Sequence, residues 1–182
     1  MRRNDVNQPE TLYRRTYQSP VGELTLIASE RGLREIRWPG ANGTDGTIGM
    51  NDGEGHPVLR ETARQLDEYF AGGRTHFDLP LDLRGTPFQL AAWQALADIP
   101  FGETRSYRQQ AAMIGRPNAV RAVGAANGAN PVCLVLPCHR VVGADGSLTG
   151  FGGGLGTKRW LLEHEARVAR KASSQLPLTI NA

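Results

Sequence analysis

The chain has 182 residues, 40% of them hydrophobic, enough for one large domain or two small ones with a real core. No apolar run reaches the length of a membrane span, the polar stretch Met1 to Glu10 does not read as a secretory leader, and two cysteines are too few for a secreted disulfide scaffold, so the expectation is a reduced, cytoplasmic protein. The formal charge of +3 is uneven: 11 basic against 13 acidic residues up to Gly85 (net −2) give way to 10 against 5 beyond it (net +5), which points the second half towards a polyanion or, equally, towards a solvated basic surface.

In chain order, Leu12 to Gln18, Glu23 to Ser29 and Leu33 to Trp38 read as short strands. Ser19-Pro20-Val21-Gly22 and Arg31-Gly32 supply the turns between them. Residues 40–56, rich in Gly, Asn and Asp, read as a mobile loop. Pro57 to Phe70 predicts a helix with Leu59, Ala63, Leu66 and Phe70 along one side, ended by Gly72-Gly73. Phe77 to Leu83 is a candidate to return to the sheet. This half predicts a small antiparallel sheet with one helix and carries no evident chemistry.

The second half opens with Thr86 as N-cap and Pro87 at the first helical position, for a helix to about Asp98 bearing Phe88, Ala92 and Leu96. After Pro100-Phe101-Gly102, Ser106 and Gln109 form a capping-box pattern for a helix ending near Gly115. Pro117-Asn118 starts another, running to about Asn127, and the pair reads as a helix-turn-helix. The second helix is thin, with Ala119, Ala122, Gly124, Ala125 and Ala126 all small. Such a helix suits tight packing in a core. It also suits a minor groove roughly 6 Å wide, with Arg121 projecting. The apolar run Val132-Cys133-Leu134-Val135-Leu136 leads to Pro137-Cys138-His139-Arg140. Gly150 to Gly156 reads as a flexible loop lining a pocket, lacking any phosphate-loop pattern, and the last helix is expected over roughly Thr157 to Arg170.

Cys133, inside the apolar run, reads as an inert buried hydrophobe, and a bridge to Cys138 across so short a loop is not expected. Cys138 differs, because a proline precedes it and His139 and Arg140 follow. A free thiol with a pKa of about 8.5 is only a few per cent ionised near neutrality, so a nucleophilic Cys needs a base, and a base needs an orienting acceptor. The acids available in this half are Asp98, Glu103, Asp145, Glu163 and Glu165. A Cys-His-carboxylate set serves a hydrolase as well as a transferase. A metal site built on Cys133, Cys138, His139 and His164 lacks the usual ligand spacing, so no metal is expected.

The hexapeptide Pro137-Cys138-His139-Arg140-Val141-Val142 resembles the active-site signature of the O6-alkylguanine-DNA alkyltransferases. Thr86-Pro87-Phe88-Gln89, Ile99 to Thr104 and Ser106-Tyr107 resemble that family's approach to its helix-turn-helix, and Arg121 to Asn127 its DNA-binding helix. Asn130-Pro131, Gly153-Gly154-Leu155 and Trp160 to Glu165 fit as well, so the likeness is specific over residues 85–166 and only an outline over the first 80 or so. It implies an α+β fold. The N-terminal domain, 1–84, would have an RNase H-like outline, followed by a winged helix-turn-helix domain over 85–170 and a loosely ordered tail over 171–182.

The resemblance also implies roles. Cys138 would be the nucleophile, His139 its base acting through a water, and Glu165 the group holding His139 in the right tautomer. Asn130 would tie the chain before the nucleophile to the helix-turn-helix, and Tyr107 would protonate the departing guanine. Arg121 would fill the gap left by a flipped nucleotide, with Ser106, Ala122, Ala126 and Asn127 beside it on the DNA. Val141, Phe151 and Gly152 would line the base pocket. Phe151 and Gly152 stand where the family often has Tyr and sometimes Ser, which removes a hydroxyl and leaves more room for larger alkyl groups. The implied partner is double-stranded DNA carrying O6-alkylguanine or O4-alkylthymine, met through the minor groove by a monomer without a cofactor, each molecule acting once. Cooperative assembly on DNA stays open. Three other classes are weighed against this: a damage sensor on the same scaffold, which would replace Cys138; a sequence-reading transcription factor, whose helix would need more long polar side chains; and a cysteine hydrolase, which would turn over repeatedly.

Overall fold

The computed structural model describes residues 10–39 and 50–174. The polar N-terminus, the first ten residues of the expected 40–56 loop and the tail beyond Ser174 lie outside them. Among the described residues no helix is long and apolar enough to cross a membrane.

The N-terminal half is a four-stranded sheet under one helix. β1 (Leu12–Ser19), β2 (Gly22–Ser29) and β3 (Gly32–Arg37) pair antiparallel in sequence order. The expected antiparallel sheet gains a short parallel edge, β4 (Asn51–Asp52), which pairs with Tyr13 and Arg14 of β1 and gives the order β3-β2-β1-β4. β2 carries the deepest side chains, Leu24, Leu26, Ile27 and Ala28, all fully buried. α1 (Pro57–Phe70) has the expected ends and lays Leu59, Ala63 and Leu66 on the sheet. Tyr69, rather than Phe70, takes the fully buried place at its C-terminal end.

Phe77 to Leu83 does not form a strand. It touches the sheet through one bridge, Leu33 to Leu81, with Leu33 N donating to Pro80 O at 2.8 Å and Asp82 N to Leu33 O at 2.9 Å. Pro80 has no N–H to extend a ladder. Gly32 permits the approach, because a Cβ there would stand 2.4 Å from the Pro80 carbonyl oxygen.

The C-terminal half is helical. α2 (Pro87–Ala97) and α3 (Tyr107–Met113) each start on a complete capping box, Thr86 with Gln89 and Ser106 with Gln109. α4 (Val120–Gly128) begins later than its Pro117-Asn118 signal suggests, because residues 116–119 form a turn closed by Ala119 N on Arg116 O at 2.8 Å. α3 and α4 are the expected helix pair. β5 (Arg105–Ser106) and β6 (Val141–Val142) pair in parallel and join the entry of α3 to the segment after Cys138. α5 (Gly154–Ser174) is longer at both ends than expected and starts inside the Gly-rich stretch. Gly153 is packed, not free: a Cβ there would stand 2.7 Å from the Trp38 ring. The two halves share one core, with Trp38, Tyr69, Trp93, Leu134 and Leu161 in the same cluster, and Ile36 N donates to Pro131 O at 2.7 Å across the junction.

Candidate active site

The apolar run before Cys138 is not a strand. It folds into successive turns in which Leu134 takes a left-handed φ of 80°, an unfavourable state for a non-glycine residue held here by full burial. Asn130 staples these turns from below: its Nδ2 donates to Leu136 O at 2.7 Å, and its Oδ1 accepts from Val132 N at 3.1 Å. Asn130 N donates to Asn127 O at 3.2 Å, so the staple is continuous with the end of α4. Pro137 then ends the run, and Cys138–Arg140 form a single 3₁₀ turn.

All three residues of that turn are buried. Beneath it lies Glu165, fully buried on α5. Its Oε1 accepts from His139 Nε2 at 2.7 Å, from Tyr69 Oη at 2.8 Å and from Arg140 Nη2 at 3.0 Å. Its Oε2 accepts from Arg140 Nε at 2.9 Å and from the Gly102 backbone N at 3.0 Å. Burial pushes this carboxyl up, but the bonds and charges of His139 and Arg140 outweigh it and bring the pKa down to about 2. An ionised carboxylate only accepts, so the imidazole proton sits on Nε2. Burial lowers His139 below the ordinary imidazole range, against the pull of Glu165. The imidazole is therefore neutral near neutrality, and its Nδ1 is a buried acceptor without a protein partner.

Cys138 lies beside a second sulfur, with Cys133 Sγ 3.6 Å from Cys138 Sγ, and both cysteines are free. The Cys133 thiol, the Asn130 amide and the charge of Lys158 together hold Cys138 below the ordinary thiol range, although burial opposes them. Lys158 is fully buried on α5 and donates to Val141 O at 2.6 Å and Thr149 O at 2.7 Å. Its ammonium stands 5.9 Å from the Tyr107 ring, and burial lowers its pKa. Tyr107, at the start of α3, shares its hydroxyl with Thr149: Tyr107 Oη donates to the carbonyl at 3.3 Å and accepts from Oγ1 at 3.2 Å. Phe151 packs edge-on against Trp38 at 5.3 Å, and Gly152 is exposed beside it.

The structure brings Cys138, His139, Glu165, Asn130, Val141 and Tyr107 to one place. Arg121 and Ala122 are exposed on the outer face of α4, and Ser106 is half-buried at the cap of α3. Ala126 and Asn127, grouped with them in the sequence, turn inward instead. Ala126 is 2% exposed and its carbonyl accepts from Trp93 Nε1, while Asn127 exchanges two side-chain hydrogen bonds with Gln110, at 2.7 and 2.9 Å. Val123, Ala126 and Asn127, three and four residues apart, form the inward stripe of α4, and Ala122 stands at the edge of that stripe on the exposed side.

Sequence reasoning missed Tyr69, Gly102 and Lys158, and it read Arg140 only as a nearby positive charge and not as a partner of Glu165. Lys158 alone carried a usable signal, since it shares a helical stripe with Leu161 and Glu165.

Two family profiles match the chain: "6-O-methylguanine DNA methyltransferase, ribonuclease-like domain" over residues 12–83 and "6-O-methylguanine DNA methyltransferase, DNA binding domain" over residues 87–167. A methylated-DNA--protein-cysteine methyltransferase of Mycolicibacterium paratuberculosis is 48% identical over 153 residues, 84% of this chain and 92% of that protein. One from Methanosarcina barkeri is 44% identical over 155 residues, 85% and 97% of the two chains. Among solved structures, Mycobacterium tuberculosis OGT in complex with DNA aligns with a TM-score of 0.78 at 47% identity, covering 86% of this chain and 94% of that one.

Proposed function

The chain belongs to the 6-O-methylguanine DNA methyltransferase family, and from that premise we propose how its own residues carry out the transfer. The protein repairs alkylated DNA by direct reversal, moving the alkyl group from guanine O6 to Cys138. The observation that carries this reading is the buried relay under the nucleophile: a neutral His139, fixed by Glu165, that keeps Nδ1 free as an acceptor in the same turn as Cys138.

His139 Nδ1 takes the Cys138 proton through a water, and Glu165 stabilises the imidazolium that results. The thiolate attacks the saturated alkyl carbon. The new S–C bond forms as the C–O6 bond breaks, and its electron pair leaves with guanine. Tyr107 donates a proton to the base ring and makes it a better leaving group. Attack at saturated carbon forms no tetrahedral oxyanion, and a thioether does not leave again, so each molecule acts once. O4-alkylthymine offers the same alkyl–oxygen carbon and is the second substrate of this reading.

DNA meets the outer face of the α3–α4 pair. Ala122 and the other small residues let α4 approach the minor groove, Ser106 meets the backbone, and Arg121 enters the stack where the target nucleotide has left it. Burial takes Ala126 and Asn127 out of that face and makes them supports of its shape. The lesion sits between Tyr107, Val141, Phe151 and Gly152. The division at Gly85 into a supporting N-terminal domain and a winged helix-turn-helix domain bearing the site belongs to the same reading, as does action as a monomer.

The test is a single-turnover reaction with duplex DNA carrying O6-methylguanine. Trypsin releases both cysteines in one peptide, residues 122–140, so fragmentation is needed to place the methyl group. The expected product is methylated on Cys138 alone; complete repair with Cys138 unmodified excludes the mechanism. Arg121→Ala should slow repair in duplex DNA by about tenfold or more while leaving reaction with the free base nearly unchanged. Equal slowing of both removes Arg121 from the flipping role.

A further inference from the structure

Cys133 is buried in the same core cluster as its chain neighbours Val132, Leu134 and Leu136. Among the described residues, two acceptors lie within its reach: Asn130 O at 3.5 Å and Cys138 Sγ at 3.6 Å. The indole N–H of Trp38 is buried without a hydrogen-bond partner among the described residues. A thiol with one proton to give and two acceptors in reach is polarised towards whichever acceptor is more basic.

We propose that Cys133 is the resident hydrogen-bond donor to the nucleophile: its S–H points at Cys138 Sγ while that sulfur is a thiolate, and turns to the Asn130 carbonyl once the sulfur is alkylated. This rests on Cys138 being the nucleophile. A buried thiolate needs hydrogen-bond donors, and the single relay water is not enough to replace full solvation. The titratable and charged groups packed around the turn are His139 and Arg140 within it, Lys158 and Glu165 from α5, Tyr107 from α3 and Tyr69 from α1. Arg140, Tyr69 and His139 Nε2 are committed to Glu165, and Lys158 gives hydrogen bonds to two carbonyls. Cys133 Sγ stands 3.6 Å from Cys138 Sγ, and the Asn130 amide is the other neutral group that holds the Cys138 thiol down. The Cys133 thiol is held well above the ordinary range, first by that contact and then by burial, so it keeps its proton while Cys138 loses one. Alkylation removes the negative charge, and the thioether is a weak acceptor beside a backbone carbonyl. The proton then strengthens the Asn130 end, the same residue that joins these turns to α4.

The experiment compares the wild-type protein with Cys133→Ala and Cys133→Ser in single-turnover transfer from duplex O6-methylguanine, followed from acid to alkaline pH at saturating DNA. Iodoacetamide capture of Cys138 without DNA, read by peptide fragmentation, gives the thiolate fraction independently. In Cys133→Ala both midpoints should move up by about one pH unit, so that the rate at neutrality falls about tenfold while the alkaline plateau is retained. Cys133→Ser keeps a donor and should retain most of the wild-type midpoint. Superimposed profiles in all three proteins overturn the inference, and so does a lowered plateau with an unmoved midpoint, which is the mark of a packing defect. If the wild-type protein leaves no methyl group on Cys138, the assignment of the nucleophile fails first. Normal wild-type transfer with unmoved midpoints fails the Cys133 inference alone.

Discussion

Each half of the molecule is organised around one buried carboxylate, and the two are built differently. In the N-terminal half Asp82 accepts from Ser29 Oγ at 2.6 Å and from Arg34 Nη2 at 2.7 Å and Nε at 3.1 Å, with Arg31 at its edge. In the C-terminal half Glu165 holds one arginine, one tyrosine, one backbone N–H and one imidazole. Asp82 is held by a hydroxyl and two guanidinium groups, so that hub is a clamp between the β2–β3 hairpin and the segment before α2. Exchanging one cation for an imidazole turns the same design into a relay, because the imidazole has a second nitrogen to use. What separates a structural ion cluster from a chemical one here is a donor whose second nitrogen can take up a proton.

The largest effect should come from breaking the C-terminal hub. Glu165→Gln keeps the shape but leaves the Arg140 charge buried without its partner, a loss of about 3–5 kcal/mol. A glutamine can also donate to His139 Nε2 and so select the wrong tautomer. Single-turnover transfer, measured on protein that circular dichroism shows to be folded, should fall by on the order of 10²–10⁴. A folded variant with undiminished transfer would reduce Glu165 to a structural clamp like Asp82.

Acid should separate the hubs next. A folded-state pKa held down at about 2 makes Glu165 stabilising above its unfolded value, and that contribution is lost as pH falls through about 2. Asp82 acts with the same sign: burial pushes it up, the Ser29 bond and the two arginines outweigh that, and the lowered value makes its contribution disappear in acid too. His139 is also lowered, by burial, so its contribution is complete above an unfolded value of about 6.5 and is lost as pH drops below it. The C-terminal hub therefore weakens first. Urea midpoints should begin to fall just below about pH 6.5, by up to about 1.4 kcal/mol per pH unit, before either carboxylate is protonated. Transfer by the folded protein should hold over that range and decline only further into acid, where the lowered folded-state value lets Nδ1 be protonated. A urea midpoint that stays flat until the carboxylates titrate would place the His139 proton affinity at its unfolded value.

Asp82→Asn is the matching break on the other side. It should cost about 1–3 kcal/mol through weakened bonds to Arg34 and Ser29. Transfer by the folded variant should stay at the wild-type rate, and a clear fall in that rate would mean the two hubs are coupled.

The two hubs also mark how far the sequence could be read. The Ser106–Gln109 capping box, the Thr86 N-cap, the ends of α1 and the β1–β2 turn are written in contiguous residues and each formed where its chemistry stands, whereas the Pro117-Asn118 signal placed the start of α4 too early. The Cys138-His139 core of the site was legible for the same reason, and Glu165 through the resemblance of its helix. Reading failed where a contact spans the chain. Tyr69 reaches Glu165 from 96 residues away and Gly102 from 63, and no periodicity announces either. Phe77 to Leu83 looked like a strand by composition, but Pro80 and the crowding at Gly32 decided otherwise. Cys133 was rightly placed in the interior. Its contact with Cys138 depends on the turns that Leu134 makes with a positive φ, which an apolar run does not advertise.

Tyr69 gives the smallest effect and the sharpest comparison, because it is the point where the N-terminal half touches the relay. Its hydroxyl comes from the last turn of α1 and is one of five donors on Glu165. Burial, followed by the Glu165 charge, raises its pKa well above the ordinary phenol range, so it is a donor at every accessible pH. Tyr69→Phe removes that donor and almost no volume, and the Tyr69 carbonyl still accepts from His164 Nε2. With four donors left, the cost should be about 1 kcal/mol. The sign of the chemical effect is fixed by the remaining bonds. A carboxylate with one donor fewer pulls harder on the His139 proton, which stabilises the imidazolium and raises the His139 pKa. The acid limb of the transfer rate should therefore move to higher pH by a few tenths of a unit, with the alkaline plateau unchanged. A limb that does not move, together with the expected loss of stability, would make the N-terminal half a scaffold for the site and nothing more.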